Sequence, residues 1–448
     1  MDALNRLLRP VARPDEPRQV TAPLSRSTLL AIRRERIAAA LPLGEAILLV
    51  GAGEPIPLPE NSDQTYPFRS HAEYFYLTAE ECAGGVVAFD PQAAPDRRWI
   101  SFVPAVTEAE RIWEGRTQIE GEPLAHLPAW LEARRSRRMA ALGAGVAGAN
   151  SDPELNGRIR EALRHARRPK DELELDAVRR AVTATACGFA QLRRALVPGV
   201  TERALQIELE AGFFRHGGQR TGYGTIVGSG PNAAVLHFEP TVRAVQSGEF
   251  VLVDAGAEVE RYTADVTRTY VAGEPSAFQR DFYQAVLEAE RRAITRCVVG
   301  AEWKAIHLAA AVDLTTALVE LGLLRGSPQS LVEREAHTLF FPHGIGHMVG
   351  LGVRDASGLL PGRTRDPRPS LQSLRMDLPL APGYLVTIEP GLYFIPALLN
   401  DPGRRARFAP DVNWERAGQY LSLGGVRIED NILVTAEGPE VLTEAIPN

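Results

Sequence analysis

The sequence predicts an α+β protein of two domains, and three observations carry that reading. The chain has 448 residues, well beyond the roughly 100 to 200 of an ordinary domain. Up to about Trp130 it alternates helical and strand-like pieces, as a small α/β domain does. The remainder has another rhythm, in which strand-like runs carry unexpected polar residues and long helical stretches separate them. These observations place a smaller α/β domain over residues 1–166 and a larger domain over 167–448.

In chain order, LLAIRRERIAAAL from Leu29 reads as a helix, AILLVGAG as a buried strand and GGVVAFD as a second strand. Between Trp130 and Pro169 the composition shifts to Arg, Ala and Gly. There Arg134, Arg135, Arg137 and Arg138 read as a solvated helix end at a domain junction, with an anion-binding patch as the competing reading. Lys170 to Leu192 is expected to be a long amphipathic helix opening the second domain. FQRDFYQAVLEAERRAI and AIHLAAAVDLTTALVELGLL read as further helices. The charged, Pro/Gly-punctuated stretch between Tyr393 and Gly424 is expected to be a long loop or excursion.

Composition narrows the classes of function. A formal net charge of -6 gives no electrostatic reason for a polyanionic partner, so no nucleic acid is expected. No apolar run approaches the roughly 18 residues of a membrane span. Cys82, Cys187 and Cys297 are odd in number and far apart, which argues against a disulfide framework or a cysteine metal site. The first residues, MDALNRLLRPVARPDEP, mix charge and proline where a secretory signal needs an apolar core. A cytoplasmic enzyme is the expectation.

The anomaly that points to chemistry is acid where strands should be apolar. Asp254 follows Val251, Leu252 and Val253, and an ionised carboxylate there is costly unless paired or bound to a metal. Asp265 lies eleven residues later in TADVTRTYV, with VERYT between them as a hairpin loop. Glu389 follows Leu385, Val386, Thr387 and Ile388, and Glu429 lies among Val426, Arg427, Ile428 and Ile432. Four strand carboxylates cannot all be buried without cations.

The segment FFPHGIGHMVGLG adds His343 and His347. Gly344 and Gly346 disfavour a helix, so a strand or loop is expected, with one imidazole as a ligand and the other for substrate. His71, His126, His165, His216, His307 and His337 are read as having no catalytic role. An imidazole with four carboxylates is an oxygen-rich set that favours manganese, cobalt or zinc over copper or iron–sulfur chemistry. Two ions roughly 3.5 to 4 Å apart and sharing carboxylates suit hydrolysis of an amide or ester.

The order Asp254, Asp265, His347, Glu389, Glu429, within VDAGAEVERYTADVTRTY, PHGIGHMVGLG, VTIEPGLYF and GGVRIEDNILVT, resembles the M24 family of pita-bread metallopeptidases. The likeness is greatest to its Xaa-Pro branch, prolidase first and aminopeptidase P next, and YPFRSHAEYFYLT with ERIWEGR is similar to the smaller N-terminal domain of those enzymes. The resemblance implies a pita-bread catalytic domain holding two divalent metal ions, manganese foremost with cobalt or zinc as alternatives. It implies that Asp254 holds one ion, that Asp265 and Glu429 bridge, and that His347 and Glu389 complete the other site. Glu389 is implied as proton shuttle, His237 and His343 as contacts to substrate and oxyanion, Tyr223 and Thr267 as supports, and Arg427 as an arginine behind the ligands. A short peptide substrate and a homodimer are also implied.

Within the branch, SLQSLRMDLPLAPGYLVTIEP and the long insertion resemble prolidase, and Arg375 falls where prolidases bind the substrate carboxylate. One departure is Arg354, which stands where the family has a histidine. A guanidinium is a fixed cation with a planar fork suited to a carboxylate. Arg354 is therefore expected either to join Arg375 in reading a free C-terminus or to pair with Asp355. The expectation is an Xaa-Pro dipeptidase; a metallocarboxypeptidase, an aminopeptidase P, a non-catalytic peptide-binding protein and a creatine-type amidinohydrolase are the alternatives.

Overall fold

In the computed structural model, residues 25–59 and 64–448 are described. The reading of MDALNRLLRPVARPDEP falls outside them.

The N-terminal sheet has five strands, in the spatial order Glu122–Pro123, Trp99–Val103, Val86–Phe89, Ile47–Gly51 and Met139–Gly143. Ile47–Gly51 pairs antiparallel with Val86–Phe89 and parallel with Met139–Gly143. Its side chains alternate across the sheet. Leu48 and Val50 join a core with Ile37 and Ile159 from the helices Arg26–Ala40 and Pro153–Arg167, while Ile47 and Leu49 pack with Leu127 and Leu131 on the other face. Coverage on both faces is why this strand reads as an unbroken apolar run. The four arginines do not form an anion patch, because each faces an acid. Arg134 and Arg137 hold Asp90 at 2.8 and 2.7 Å, Arg135 lies 3.1 Å from Glu132, and Arg138 pairs with Asp152.

The second domain opens with the helix Glu172–Ala195, started by a reciprocal cap between Asp171 and Glu174. Two of the antiparallel three-stranded sheets that follow frame the site. One holds Ile226–Ser229, Phe250–Ala255 and Val266–Val271; the other holds Leu385–Ile388, Asp430–Thr435 and Gly438–Val441. They meet where Thr267 and Glu429 form a bridge, the Glu429 amide donating to the Thr267 carbonyl at 3.0 Å. The helices Ala277–Thr295 and Trp303–Glu320 pack behind, burying Phe282 and Leu314 in a common core with Ile388 and Ile432.

Two local expectations need correction. The VERYT loop is tighter than expected: Glu260 and Arg261, with φ of 49° and 72°, form a two-residue turn between Ala257–Val259 and Tyr262–Thr263. The stretch between Tyr393 and Gly424 is not a structureless loop but carries three short helices, Pro396–Leu399, Pro402–Arg407 and Trp414–Gln419. Proline at the start of the first two fixes φ for a helical first turn, so punctuation that reads as loop initiates helix. No helix among the described residues is long and apolar enough to cross a membrane.

Candidate metal centre

Each acidic residue of the centre is placed by a strand end. Asp254 is the fifth residue of Phe250–Ala255 and lies opposite Thr267 in the ladder. Asp265 precedes Val266–Val271, where Asn431 clamps its backbone: the Asp265 amide donates to Asn431 Oδ1 at 3.1 Å, and Asn431 Nδ2 donates to the Asp265 carbonyl at 2.5 Å. Glu389 follows Leu385–Ile388, and Glu429 lies between Gly425–Arg427 and Asp430–Thr435. The histidine segment is extended rather than helical and runs beside Leu385–Ile388, with Thr387 N donating to the His347 carbonyl and Glu389 N to the Ile345 carbonyl, both at 2.8 Å.

These elements bring the five residues onto the wall of one cavity of about 720 Å³. One ligand atom each from Asp265, His347 and Glu429 lies within 4.8 Å of the other two. His347 Nε2 is 3.5 Å from Asp265 Oδ2 and 3.7 Å from Glu389 Oε1. Its Nδ1 faces the Met348 carbonyl at 3.0 Å, which places the proton on Nδ1 and leaves the Nε2 lone pair toward the acids. Burial holds this imidazole down at about 4, with Arg354 and Arg375 adding to the shift, so it is neutral at pH 7.

The supporting side chains form a continuous network. Tyr223 donates to Asp254 Oδ1 at 2.6 Å, and Thr267 Oγ1 donates to Glu429 Oε2 at 2.7 Å. Arg427 reaches Asp254 Oδ2 at 2.6 Å, Thr267 Oγ1 at 3.1 Å and the Tyr393 hydroxyl at 3.0 Å. The Tyr393 hydroxyl lies 2.9 Å from His343 Nε2, and His343 Nδ1 lies 2.9 Å from the Gly344 carbonyl. With Nδ1 donating, His343 Nε2 accepts the tyrosine proton.

The electrostatics argue for cations here. Burial, then repulsion from Asp254, pushes the Asp265 carboxyl well above the usual carboxylate range. Burial and the neighbouring acids Asp265, Glu389 and Asp254 do the same to Glu429. Glu389, though partly open to the cavity, is raised to about 7 chiefly by burial. Arg427, almost fully buried, is the one basic side chain hydrogen-bonded to a carboxylate of this wall among the described residues. A single guanidinium does not balance four carboxylates, whereas divalent ions do, and the neutral imidazole beside oxygen donors is a set that such ions accept. The residues therefore fit a metal centre.

His237, Arg354 and Arg375 line the same cavity but are solvent-exposed on its walls, apart from the buried cluster. None of His71, His126, His165, His216, His307 and His337 lines it. Sequence reasoning missed Tyr393 and Asn431. Each is fully buried, and a hydroxyl or amide within an apolar strand was the available signal. It also left Asp355 as a partner for Arg354, whereas Asp355 faces inward to Arg167 and Lys170.

With this geometry the chain belongs to Metallopeptidase family M24, whose sequence profile matches residues 176–436, more than half its length. The profile of the Aminopeptidase P, N-terminal domain matches residues 30–124. Among similar proteins, one from Tuber melanosporum is 30% identical over 395 residues, covering 86% of each chain. One from Aspergillus fumigatus is 31% identical over 451 residues, covering 91% of this chain and 90% of its own. Both bear the name "Probable Xaa-Pro aminopeptidase". Among solved structures, aminopeptidase PepP of Pseudomonas aeruginosa has a TM-score of 0.76 at 26% identity, covering 96% of this chain and 97% of its own. Proline aminopeptidase P II of Yersinia pestis has a TM-score of 0.73 at 25% identity, covering 95% and 97%. The pita-bread catalytic domain with its smaller N-terminal domain is thus present. A nearer likeness to prolidase is not supported. Of the two segments behind that expectation, the insertion folds as short helices and contributes no residue to the cavity lining, whereas Arg375 from the other does line it.

Proposed function

We propose that the protein is an Xaa-Pro aminopeptidase, which releases the residue preceding a proline at the N-terminus of a peptide. The observation that carries this is the convergence of Asp254, Asp265, His347, Glu389 and Glu429 on one cavity wall. The relatives' shared name, over nearly the whole chain, supports the choice of bond. We place the domain boundary at residues 166/167, in the last turn of the helix Pro153–Arg167 and four residues before Asp171 caps the next helix.

Asp254 would hold one ion, Asp265 and Glu429 both, and His347 with Glu389 the second. Manganese, cobalt or zinc suits this set. Two such ions supply a nucleophile at neutral pH and polarise the scissile carbonyl. The protein's own groups do the rest. Tyr223, Thr267 and Arg427 fix the carboxylate orientations by direct hydrogen bonds. His237 is assigned the contact to the developing oxyanion, which its exposed position on the cavity wall supports. His343, with both nitrogens engaged, borders the substrate and orients the Tyr393 hydroxyl. Glu389 carries the proton to the leaving proline nitrogen.

A second reading is favoured by Arg354 and Arg375. Among the described residues neither guanidinium has a hydrogen-bond or ion-pair partner, and both line the cavity within electrostatic reach of Glu389 and His347. Two free forks facing a cavity suit a substrate carboxylate, which would direct the enzyme to dipeptides or to C-terminal residues. The test is kcat/KM for an Xaa-Pro-Xaa tripeptide, its N-acetyl form, an Xaa-Pro dipeptide and the dipeptide amide. The aminopeptidase reading expects turnover of the tripeptide and none of its N-acetyl form. Equal turnover of dipeptide and amide would remove the carboxylate reading.

A further inference from the structure

The loop after His347 carries Arg354 into the cavity, and its anchor is buried on the opposite side. Asp355 has a fully buried side chain with four donors around it. Oδ2 accepts from Lys170 Nζ at 2.7 Å and from the Leu351 amide at 3.1 Å. Oδ1 accepts from Arg167 Nη2 at 2.9 Å and from the Ala356 amide at 2.7 Å. Lys170 is equally committed, its ammonium also donating to the Arg167 and Arg168 carbonyls at 3.1 and 3.4 Å. Arg168 Nε reaches the Ala356 carbonyl at 3.1 Å, and the Asp355 amide closes the loop on the Met348 carbonyl at 3.1 Å. Gly350 makes the approach possible, since a Cβ there would lie 2.7 Å from both Asp355 Oδ2 and Lys170 Cε.

Among the described residues, every partner of this carboxylate outside its own loop comes from the segment joining the two domains. Backbone bonds hold the near end of the loop to the strands of the centre, the Val349 amide donating to the Leu385 carbonyl at 3.2 Å and the Thr263 amide to the Gly350 carbonyl at 2.9 Å, while Asp355 ties the far end, beside Arg354, to the joining segment. We propose that Asp355 is a positioning residue, which acts through Arg354 by pinning the Val349–Ser357 loop to Arg167 and Lys170 and so fixes where the cavity reads a negatively charged substrate group. The proposal rests on the reading in which Arg354 meets a substrate carboxylate. Arg354 itself has no hydrogen-bond or ion-pair partner among the described residues, so its placement depends on the loop backbone, which Asp355 secures at the adjacent position.

The experiment measures KM and kcat for an Xaa-Pro dipeptide and its C-terminal amide in four full-length proteins: wild type, Arg354→Ala, Asp355→Asn and the double variant. Losing a charged hydrogen bond to the carboxylate should lower the dipeptide-to-amide preference roughly ten- to a hundredfold in Arg354→Ala, through KM. Asp355→Asn should reproduce most of that fall and leave kcat for the amide unchanged. The double variant should match Arg354→Ala, because a residue acting through Arg354 has nothing left to position. If Asp355→Asn does not fold, Lys170→Met, which keeps the Arg167 pair, answers the same question. An unchanged preference in Asp355→Asn beside a lost one in Arg354→Ala would overturn the positioning role alone. An equal loss of kcat on both peptides would mark the pair as merely structural. No effect of Arg354→Ala on the preference would overturn both this proposal and the carboxylate reading, and leaves the aminopeptidase assignment standing.

Discussion

Thr267 and Tyr393 show how single side chains govern the centre without belonging to the ligand set. The Thr267 hydroxyl donates to Glu429 and accepts from Arg427, while Tyr393 joins Arg427 to His343. Removing either link leaves a buried polar atom unpaired, and loss of the Thr267 hydroxyl also frees the Glu429 carboxylate to turn. Thr267→Val is expected to cost about 10- to 100-fold in metal affinity or activity, read by metal titration and steady-state kinetics. Tyr393→Phe should lower kcat while leaving metal affinity less affected, since its hydroxyl touches no ligand carboxylate. Asp355 offers a different residue-scale prediction. Burial alone would raise its carboxyl, but Lys170 and Arg167 outweigh burial and hold it below the ordinary value. A depressed carboxylate stabilises the fold at pH above the ordinary aspartate value of 3.8 and loses that contribution as pH falls through the depressed value. Thermal melts between pH 3 and 7 should therefore show wild type losing more stability on acidification than Asp355→Asn; parallel profiles would contradict it.

At the scale of elements, acidic residues at apolar strand ends could be read in advance because burial makes their cost visible in one sequence. Asp254, Asp265, Glu389 and Glu429 each interrupt a run that local pattern assigns to a core. Partners contributed from elsewhere could not be read that way. Asn431 clamps Asp265 across 166 positions, and Lys170 meets Asp355 across 185. The helical insertion was hidden for another reason: proline and aspartate mark loop starts and helix starts alike, and only tertiary packing decides between them. The histidine segment shows how close the elements stand. Gly346 has φ of 154°, and a Cβ there would lie 2.0 Å from the Thr387 carbonyl oxygen. Gly346→Ala must push His347 away from Leu385–Ile388. We expect a loss of roughly 1–3 kcal/mol in stability with reduced metal content; an alanine variant with wild-type melting and metal content would show that the two segments are not closely docked.

At the scale of the whole molecule, two sheets meeting at the Thr267–Glu429 bridge bring acidic residues separated by 175 positions, from Asp254 to Glu429, onto one wall. No described residue of the smaller domain lies on that wall, yet the helix that leaves it ends on Arg167, which reaches the Asp355 anchor. The likeness to prolidase rested on two local segments, the insertion and the stretch that carries Arg375, while the length-wide match to Xaa-Pro aminopeptidases reflects both domains at once. The central claim is that five side chains hold two divalent ions in a peptidase centre, with Glu429 shared between the ions. It is tested most directly by the metal content of purified wild type and Glu429→Ala, measured together with turnover of an Xaa-Pro peptide. Two ions per chain and full activity in wild type, with loss of both ions' tight binding and of turnover in the variant, is the expected result. Near-normal turnover by Glu429→Ala with two ions still bound would contradict it.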